Sequence, residues 1–380
     1  MNILLNFFPV QSGGGQQVAS NFLITIMNNN YNHNWFVYVG ENSELHILAN
    51  QILPKSNLLI TKYSYIERLT NKKKVDEFID NNGIDLIYNY APILQTRKKI
   101  PQIVRSVYSN LYFPEVNFWK GYSPIIRLKK NIIDKLRLQG TLKANGLIFE
   151  NKSMQVRASE LFNYPTEKTF YIEPSVTLFD ESLTSPSYGY LKEDESFKIL
   201  YLSSWHLNKN IHILPHVAAI LKKRNIMVKF ILSLNINDTA IQKKLVNVIN
   251  NFQVNEYFTF IGKVPAKYVH QVIKYSNAMI LLSKLECFSS NIIEAFYFQR
   301  PLIIADEPWA KSECKDAVLY VQRDNILDIV NNIETLKSDK NLYDDLISKG
   351  HKRLNEFNTP EKKVTKQVEF IEKIYNEIES

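Results

Sequence analysis

Short apolar runs alternate with amphipathic stretches along almost the whole chain. The apolar runs are bounded by turn residues and are too short for helices, which is typical of strands buried on both faces. The predicted strands are Ile3–Phe8, Trp35–Gly40, Ile84–Tyr90, Pro101–Val107, Gly146–Glu150, Thr169–Ile172, Phe197–Leu202, Met227–Ser233, Tyr257–Ile261, Ala278–Leu282 and Leu302–Ala305. The predicted helices are 16–27, 65–81, 153–163, 211–224, 240–251, 266–275, 291–299 and most of 326–379. This alternation predicts parallel sheets covered by helices on both faces.

The alternation breaks once, over residues 180–196. This segment is polar and rich in turn residues, so we interpret it as a linker. It separates a first domain over 1–179 from a second domain over 197–360. Ligands of open α/β sheets bind at the carboxyl ends of the strands, so we expect a site in a cleft between the strand-to-helix loops of the two domains.

The composition agrees with two globular domains. The chain has 380 residues, of which 45% are hydrophobic and 22% charged, and this excludes a disordered or fibrous protein. No apolar run reaches the ~20 residues of a membrane span, and the N-terminal stretch lacks the basic region and cleavage site of a signal peptide. The two cysteines, Cys287 and Cys314, form no CxxC pair. These features favour a cytoplasmic protein.

Positive charge is concentrated in one segment. The net charge is +8, and residues 120–143 contain seven Lys or Arg against one acid, a local charge of +6. Apolar residues lie within or beside this segment: Trp119, Tyr122, Ile125, Ile126 and Leu128. The combination predicts peripheral attachment to an anionic membrane surface, although a solvated helix face has the same pattern. The aromatic residues follow no RNP or OB pattern, so nucleic acid is not an expected partner.

The loop after the first predicted strand is rich in glycine. Gly13, Gly14 and Gly15 precede the first predicted helix. Glycine allows backbone N–H groups to approach a ligand closely, and a helix N-terminus favours an anion. The loop lacks both the GxGxxG pattern and the Lys of a P-loop, so a simple tight turn also explains it.

A lysine follows the first strand of the second domain. Lys209 lies in the segment SSWHLNKN, residues 203–210, just before a predicted helix. A lysine at this place can bind a phosphate group through a charge-assisted hydrogen bond. Most lysines in loops are solvated surface residues, which is the structural alternative.

Two glutamates flank a predicted helix start in the segment ECFSSNIIE, residues 286–294. The residues between Glu286 and Glu294 include three good N-cap types, Ser289, Ser290 and Asn291. Carboxylates can accept hydrogen bonds from sugar hydroxyls, and the free N–H groups of a helix start can bind a diphosphate. A capped helix with an acid in its first turn would have the same sequence.

The sequence indicates no metal site or nucleophile. No Asp-x-Asp follows a predicted strand, and His212 and His216 lack an HExxH pattern. No Ser/His/Asp set is apparent, and nothing beside Cys287 marks it as reactive. We therefore expect neither a metal nor a cofactor.

The three loops, in this order, resemble those of the retaining glycosyltransferases of family 4. The spacing of Glu286 and Glu294 is similar to the Glu-x7-Glu motif of that family, and the following AFYFQRPLIIAD run and DAVLYV at 316–321 are similar to its later segments. Gly13–Gly15 resembles the glycine loop of the family, and Lys209 its phosphate-binding lysine. The resemblance covers nearly the whole chain and is stronger in the second half.

This resemblance implies an α/β protein with the GT-B fold, two Rossmann-like domains with parallel sheets facing across a cleft. A C-terminal helix over 361–380 would cross back to the first domain. The first domain would bind a glycan or lipid-linked glycan acceptor, and the second a UDP- or GDP-sugar donor. In the donor loops, Glu286 would contact the transferred sugar and Glu294 the ribose, while Lys209 and the backbone at Ser289–Ser290 would hold the diphosphate.

The sequence departs from the family pattern at three places. Ser204 replaces an arginine that usually precedes the phosphate-binding lysine, and His206 or Lys263 could supply the missing charge. The first domain lacks a histidine that many members have after a middle strand. The residues near that place are Arg105, Ser106 and Tyr108. Gln299 replaces a small residue late in the helix that follows the Glu-x7-Glu motif.

The resemblance implies retaining, metal-independent transfer of a sugar, as in bacterial surface polysaccharide synthesis. The leaving phosphate would take the proton of the acceptor, because no enzymic base is evident. Two alternatives stay open. One is a catalytically silent subunit that binds a sugar nucleotide, which the missing arginine and histidine favour. The other is a sugar-nucleotide epimerase of the same fold.

Overall fold

The computed structural model describes residues 1–10, 14–29, 31–62, 71–90, 92–176, 179–235 and 240–380, with backbone alone for 240–242. The described chain forms two compact units. Unit 1 comprises Met1–Pro114, Pro124–Ser175 and Asn358–Ser380, and unit 2 comprises Glu115–Ser123 and Val176–Phe357. The first unit thus differs from the expected domain over 1–179 because Glu115–Ser123 belongs to unit 2.

Unit 1 contains a sheet of seven parallel strands in the described residues. The strands are β1 (Asn2–Asn6), β2 (Asn34–Gly40), β3 (Leu58–Thr61), β4 (Leu86–Asn89), β5 (Gln102–Arg105), β6 (Gly146–Phe149) and β7 (Thr169–Tyr171). Their order is β3-β2-β1-β4-β5-β6-β7. The chain runs outward from β1 to β3 and then returns to β4 on the other side of β1. The order of the strands therefore reverses between β1 and β4, which is a topological switch point.

Unit 2 repeats this arrangement with six parallel strands in its described part. They are β8 (Lys198–Tyr201), β9 (Lys229–Leu232), β10 (Phe258–Phe260), β11 (Ala278–Leu281), β12 (Leu302–Ala305) and β13 (Leu319–Val321). The order β10-β9-β8-β11-β12-β13 places the switch point between β8 and β11. Two parallel-sheet α/β domains are the fold class that the sequence predicted.

Helices cover the sheets. In chain order they are α1 (Gly14–Asn28), α2 (Glu44–Ile52), α3 (Lys72–Asn81), α4 (Pro124–Leu142), α5 (Lys152–Phe162), α6 (Tyr190–Glu193), α7 (Leu214–Lys223), α8 (Ala240–Asn251), α9 (Val269–Lys274), α10 (Ser290–Tyr297), α11 (Pro308–Cys314), α12 (Ile326–Ser338), α13 (Lys340–Leu354) and α14 (Pro360–Glu379). Among the described residues, none of the helices is long and apolar enough to cross a membrane.

The last helix, α14, is part of the core of unit 1. Ile371 and Ile374 are buried in the same apolar cluster as residues of β1 and α1. Gly146 at the start of β6 permits this close packing, because a Cβ there would lie 3.1 Å from Ile374 and 3.3 Å from Phe370. The core of unit 1 is therefore built from residues near both ends of the chain.

The predicted linker, 180–196, is a packed segment of unit 2. Ser185 and Gln271 exchange two hydrogen bonds, of 2.8 and 3.0 Å, between the backbone of the first and the side-chain amide of the second. Tyr188 and Leu191 in the same segment are buried. The turn-rich composition thus reflects a surface segment that is fixed to unit 2, not a free connection.

All predicted strands have a counterpart, but six of the described strands and α-helices were not predicted. They are the strands β3 and β13 and the helices α2, α4, α6 and α11. Strands of three or four residues carry too little periodicity to be recognised in the sequence. Of the predicted helix over 65–81, the structure contains α3 from Lys72, and residues 63–70 lie outside the described part.

Candidate functional site

The switch point of unit 2 brings two of the predicted residues together. Lys209 lies in the loop after β8 and Glu286 in the loop after β11, and these strands are neighbours in the sheet. The Nζ atom of Lys209 donates to Oε1 of Glu286 at 2.6 Å. The two side chains are 21% and 13% exposed, so the ion pair is sheltered but in contact with solvent.

The backbone of Lys209 is held by its neighbours. It ends a 3₁₀ turn, Leu207–Lys209, in which the ring of His206 accepts a hydrogen bond from the N–H of Asn208 at 3.0 Å. The hydroxyl of the buried Tyr201 donates to the carbonyl of Lys209. Asn210 follows in the left-handed conformation with φ of 57°, which Asn tolerates better than most residues. These contacts fix the point from which the side chain of Lys209 extends.

Asn208 joins the two loops. Its side-chain amide donates to the carbonyl of Leu285 at 2.6 Å, and its backbone carbonyl accepts from the N–H of Lys284 at 2.8 Å. Both bonds lie one or two residues from Glu286. The separation between Lys209 and Glu286 is therefore set by backbone contacts as well as by their own attraction.

The start of α10 lies directly after Glu286. Ser289 occupies the N-cap position, and no side chain caps the helix. Ser289 and Asn291 are buried and Ser290 is exposed. The side-chain amide of Asn291 donates to the carbonyl of Leu202 at 2.9 Å and ties the helix to the end of β8. A helix start of this kind offers N–H donors and a partial positive charge to an anion.

Glu294 carries an unsatisfied carboxyl oxygen in α10. Its Oε2 atom is buried and has no hydrogen-bond partner within the described part of the chain. Burial raises the pKa of Glu294 to about 7. An unpaired buried carboxyl group is costly, and a ligand with hydroxyl groups would satisfy it.

Positive charges crowd the loop that contains Glu286. Burial lowers the pKa of Lys284, Asp324 opposes this effect, and the charges of Arg323 and Lys120 add to it. Arg323 also contacts Glu307, with Nε to Oε1 at 2.6 Å. Crowded cations near a helix start favour the binding of an anionic group.

A segment from the first half of the chain packs on the turn that carries Lys209. The rings of Phe118, Trp119 and Tyr122 lie 5.3, 6.1 and 6.3 Å from the ring of His206. Gly121 has φ of 99°, and a Cβ there would lie 2.8 Å from Leu207. Trp119 and Tyr122 thus belong to unit 2 and to this aromatic cluster, whereas the sequence suggested that they accompany the basic segment.

The other residues that the sequence suggested for donor binding, Ser204, Lys263 and the glycine loop, lie in three different loops. Ser204 and Lys263 are exposed, in loops after β8 and β10, and no hydrogen bond joins either side chain to Lys209 or Glu286 among the described residues. Gly14 and Gly15 form the start of α1 in unit 1, and Gly13 lies outside the described residues.

The acceptor-side candidates of unit 1 have internal partners. Arg105 and Lys363 both donate to the carboxylate of Glu150, and all three side chains are buried. Burial alone would raise the pKa of Glu150, but the two cations hold it at about 2. Ser106 and Tyr112 share a hydrogen bond of 2.7 Å between their hydroxyls.

Tyr108 also has a partner in unit 1. The guanidinium of Arg137 lies over its ring, 4.3 Å from the ring centre. Arg105, Ser106 and Tyr108 therefore all engage neighbouring side chains, and the first of them belongs to a buried ionic cluster.

Sequence reasoning missed the residues that position Lys209. Tyr201, Asn208 and Asn210 hold its backbone, and the first of these was assigned only to a strand. Two asparagines around a lysine, in a loop, were a usable signal because Asn favours turns and the left-handed conformation. No group of three or more His, Cys, Asp or Glu in the described ranges is arranged to hold a metal ion.

Residues 189–353 match the family model of group 1 glycosyl transferases. The match contains Lys209, Glu286 and Glu294 and covers most of unit 2. No curated protein sequence matches the chain.

Solved structures match the chain over nearly its whole length. The Anabaena protein Alr3699/HepE, solved in complex with UDP and glucose, is 17% identical with a TM-score of 0.70, and the match covers 98% of this chain and 100% of that chain. The lipopolysaccharide outer core galactosyltransferase WaaB is 13% identical with a TM-score of 0.65, over 98% and 100% of the two chains.

A third structure has a different assigned activity. A protein from Listeria monocytogenes, assigned as a UDP-N-acetylglucosamine 2-epimerase, is 12% identical with a TM-score of 0.64, over 99% of this chain and 97% of that chain. At these identities the likeness establishes the fold alone. The chain has the two-domain GT-B fold. Because proteins of this fold differ in activity, the function has to be inferred from the residues of the site in unit 2.

Proposed function

We propose that this protein is a retaining glycosyltransferase of the cytoplasm. It moves a sugar from a UDP- or GDP-sugar to a glycan or lipid-linked glycan acceptor, in the synthesis of a bacterial surface polysaccharide. The observation that carries the proposal is the Lys209–Glu286 contact at the switch point of unit 2. It lies within the residues that match the group 1 family model.

The donor diphosphate binds Lys209 and the start of α10. The Nζ atom of Lys209 is partly exposed, so it can turn from Glu286 to a phosphate oxygen and keep a charge-assisted hydrogen bond. The uncapped N–H groups at Ser289 and Ser290 supply further donors. Glu286 is then available to accept hydrogen bonds from hydroxyls of the transferred sugar.

Glu294 binds the ribose of the donor. Its Oε2 atom is buried and unpartnered, and each ribose hydroxyl can donate one hydrogen bond to it. This contact removes the cost of an unsatisfied carboxyl group, which makes the free site complementary to a nucleotide. Asn291 supports the contact by holding α10 against β8.

The reaction exchanges one bond at the sugar carbon. The bond from that carbon to the diphosphate oxygen breaks, and a bond to the acceptor hydroxyl oxygen forms on the same face. Negative charge develops on the leaving diphosphate, where Lys209 and the helix start stabilise it. The acceptor proton passes to the leaving phosphate, and we propose that no metal ion takes part. Unit 1 binds the acceptor.

A thermal-shift panel tests the donor class directly. UDP, GDP and their sugars are added separately, and a ligand at ~100 times its Kd adds about 2.7 kcal/mol to the stability of the folded state. We expect UDP or GDP to raise the melting temperature of the wild type and to do so much less in Lys209→Met. Equal shifts in the two proteins would remove Lys209 from the site.

Turnover tests the reaction. Release of nucleotide from the bound donor is measured with a mixture of glycans and lipid-linked glycans. We expect Glu286→Gln to lower turnover about 100- to 1,000-fold, the usual effect of losing one group that stabilises the transition state, while the melting temperature stays unchanged. Excess EDTA should leave turnover intact. Complete loss with EDTA, restored by magnesium or manganese, would contradict the metal-free part of the proposal.

The same experiments separate two other functions. A silent sugar-nucleotide-binding subunit is favoured by the exposed Ser204 in place of an arginine and by the engagement of Arg105 with Glu150. It would show the thermal shift and no turnover with any acceptor. A sugar-nucleotide epimerase is favoured by the shared fold. It would convert the donor without an acceptor, and NMR of the sugar ring protons would detect the product.

A further inference from the structure

Helix α4 of unit 1 exposes its apolar face. Of its residues, Pro124–Leu142, Thr141 alone is buried. The exposed fractions of the apolar side chains are 83% for Ile125, 63% for Leu128, 53% for Ile132 and 62% for Leu136. Their spacing of three and four residues places them in one stripe along the helix. A surface helix normally turns such a stripe towards the core, and this one does not.

Basic residues flank the stripe. At about 100° per residue, Lys129 lies on one side of it and Lys135 on the other, and both are exposed. The acid of the helix, Asp134, lies away from the stripe, where it accepts hydrogen bonds from Asn110 at 2.7 Å and Arg137 at 3.2 Å. With five Lys or Arg and one Asp, the helix has a net charge of +4.

These properties are those of a helix that lies in the interface of a membrane. Such helices place apolar side chains among the lipid headgroups and acyl chains, while flanking cations contact anionic headgroups. A second copy of the chain is a poorer occupant, because two such faces would bring lysines of like charge together. An exposed apolar stripe without an occupant would favour aggregation.

We infer that α4 is an interfacial helix that attaches the protein to an anionic membrane surface. Ile125, Leu128, Ile132 and Leu136 enter the headgroup region, and Lys129 and Lys135 contact anionic lipids. The basic surface is thus narrower than the segment 120–143. The inference deepens the proposed function by naming the surface at which a lipid-linked acceptor is met, but it does not rest on sugar transfer, since the test below measures binding alone.

Vesicle co-sedimentation tests the inference with the full chain. The vesicles contain phosphatidylcholine alone or phosphatidylcholine mixed with phosphatidylglycerol. We expect the wild type to bind only the mixture, and binding to fall steeply as NaCl rises from about 0.05 M to about 0.5 M, because salt screens exposed charges. Failure to bind the mixture at low salt would overturn the inference. Equal binding to both vesicles would overturn the role of the cations.

A charge variant tests the cations. Lys129→Gln and Lys135→Gln are combined, and about fivefold per charge gives a loss of binding of about 25-fold. The matched control combines Lys192→Gln and Lys337→Gln, which are exposed lysines elsewhere and lower the net charge equally. We expect the control to bind within about twofold of the wild type, because lysines away from the membrane surface contribute little to binding compared with lysines that contact the headgroups. An equal loss in both variants would show a general charge effect and overturn the assignment to α4.

An apolar variant tests the stripe. Ile132→Gln with Leu136→Gln should weaken binding about tenfold or more, since interfacial binding scales with the apolar area buried. Ile47 and Leu327 are 57% and 54% exposed, so Ile47→Gln with Leu327→Gln is the control, and it should bind as the wild type does. Thermal unfolding should be unchanged in both, because the four side chains are exposed. A dimer of the wild type that the stripe variant converts to a monomer, without any vesicle binding, would make the stripe a self-association surface and overturn the inference.

Discussion

The two units have the same strand order but different chemistry at their switch points. In unit 1, between β1 and β4, the side-chain amide of Asn6 donates to that of Asn89 at 2.8 Å, and both residues are buried. In unit 2, between β8 and β11, Lys209 donates to Glu286 at 2.6 Å, and both side chains are partly exposed. One contact is neutral and enclosed, and the other is charged and accessible.

The difference shows why equal topology does not give equal sites. The amide of Asn89 also donates to Gln102 at 3.0 Å and accepts from the N–H of Leu94 at 3.0 Å, so the side chain of Asn89 uses both of its polar atoms within unit 1. The charged residues at the same edge, Arg105 and Glu150, are buried in a cluster with Lys363. Buried networks fix a structure, whereas a sheltered ion pair in contact with water can exchange one partner for a ligand.

The largest expected effect comes from breaking the buried cluster of unit 1. Glu150→Gln leaves Arg105 and Lys363 without their shared carboxylate and should lower the free energy of unfolding by about 3–5 kcal/mol. Urea unfolding measures this change. The control is Glu334→Gln, which removes an exposed partner of Arg224 at 2.8 Å and should cost no more than about 1 kcal/mol. An equal decrease in the free energy of unfolding in both variants would mean that the buried cluster stabilises unit 1 no more than an exposed ion pair does.

The pH dependence of unfolding tests the same cluster. Because the pKa of Glu150 is lowered to about 2 from an ordinary value of 4.5, its ionised form stabilises the folded state above pH 4.5. This stabilisation is lost as the pH falls from 4.5 towards 2. Glu150→Gln should therefore differ most from the wild type at neutral pH, and the two should converge in acid. Parallel profiles would contradict the assignment.

A smaller effect is expected from breaking the open pair of unit 2. Lys209→Met should weaken UDP or GDP binding by about 1.5–3 kcal/mol, roughly 10- to 150-fold, since it removes one charge-assisted hydrogen bond to a phosphate. Isothermal titration calorimetry measures this loss, and the melting temperature without ligand should stay close to that of the wild type. Lys263→Met is the comparison, because Lys263 is exposed and has been considered for the same phosphate. If Lys263→Met causes the larger loss, the diphosphate lies nearer to β10.

Glu294 sharpens the comparison through proton release. Its pKa is raised to about 7 by burial, so the group is partly protonated at neutral pH. Hydrogen bonds donated by ribose stabilise the ionised form and lower that pKa, so nucleotide affinity should rise by about tenfold from pH ~6 to pH ~8. Calorimetry in buffers of different ionisation enthalpy detects the released proton. Glu294→Gln is the control. Its nucleotide affinity should still change with pH through the titration of the nucleotide phosphate, but it should lack the part of the pH dependence that comes from Glu294.

The same carboxyl group predicts an effect on stability without ligand. A raised pKa in the folded state means that ionisation opposes folding, so stability should decrease as the pH rises from about 4.5 to about 7 and then level off. Glu294→Gln should remove this decrease. A wild type whose stability is flat over this range would show that Glu294 is better solvated than its buried oxygen suggests.

The smallest expected effect is a change at Gln299 that should alter the stability of unit 2 but not its affinity for a nucleotide. Gln299 follows α10 with φ of 53°, a left-handed conformation that favours glycine. Gln299→Gly should raise the free energy of unfolding by about 0.5–1 kcal/mol without changing nucleotide affinity. Gln299→Ala is the control and should give no gain, since alanine has the same steric conflict. A change in affinity would mean that the end of α10 influences the site.

The sequence was sufficient for the fold class and for singling out the two loops that meet at the switch point of unit 2. Alternating apolar runs predicted the parallel strands, and the Glu-x7-Glu spacing with Lys209 identified the two loops that meet. Their contact was predictable because both loops follow strands of one sheet, and ligand loops lie at the carboxyl ends of strands. The buried cluster around Arg105 was not predictable. Glu150 lies 45 positions after Arg105 in the sequence, and Lys363 lies a further 213 positions after Glu150. Local patterns carry no information about such distant pairs.

The segment Glu115–Ser123 was assigned to the wrong unit for a similar reason. Its aromatic residues are separated from His206 by about eighty residues of chain, and nothing in their spacing indicates that ring. The composition also misled at 180–196, since a polar, turn-rich stretch is typical of both a linker and a surface segment that is held in place.

The way in which the two units exchange chain segments has a consequence for biosynthesis. The ribosome releases Glu115–Ser123 well before the turn at Leu207–Lys209 that these residues cover in unit 2. Unit 1 in turn waits for Asn358–Ser380, and until then the face that receives Ile371 and Ile374 is uncovered. Domains usually fold as units in the order of their synthesis. Unit 2 can complete its core once Phe357 has been made, whereas unit 1 cannot do so before α14 has been made, so the apolar face that receives Ile371 and Ile374 is expected to stay exposed on the nascent chain until then.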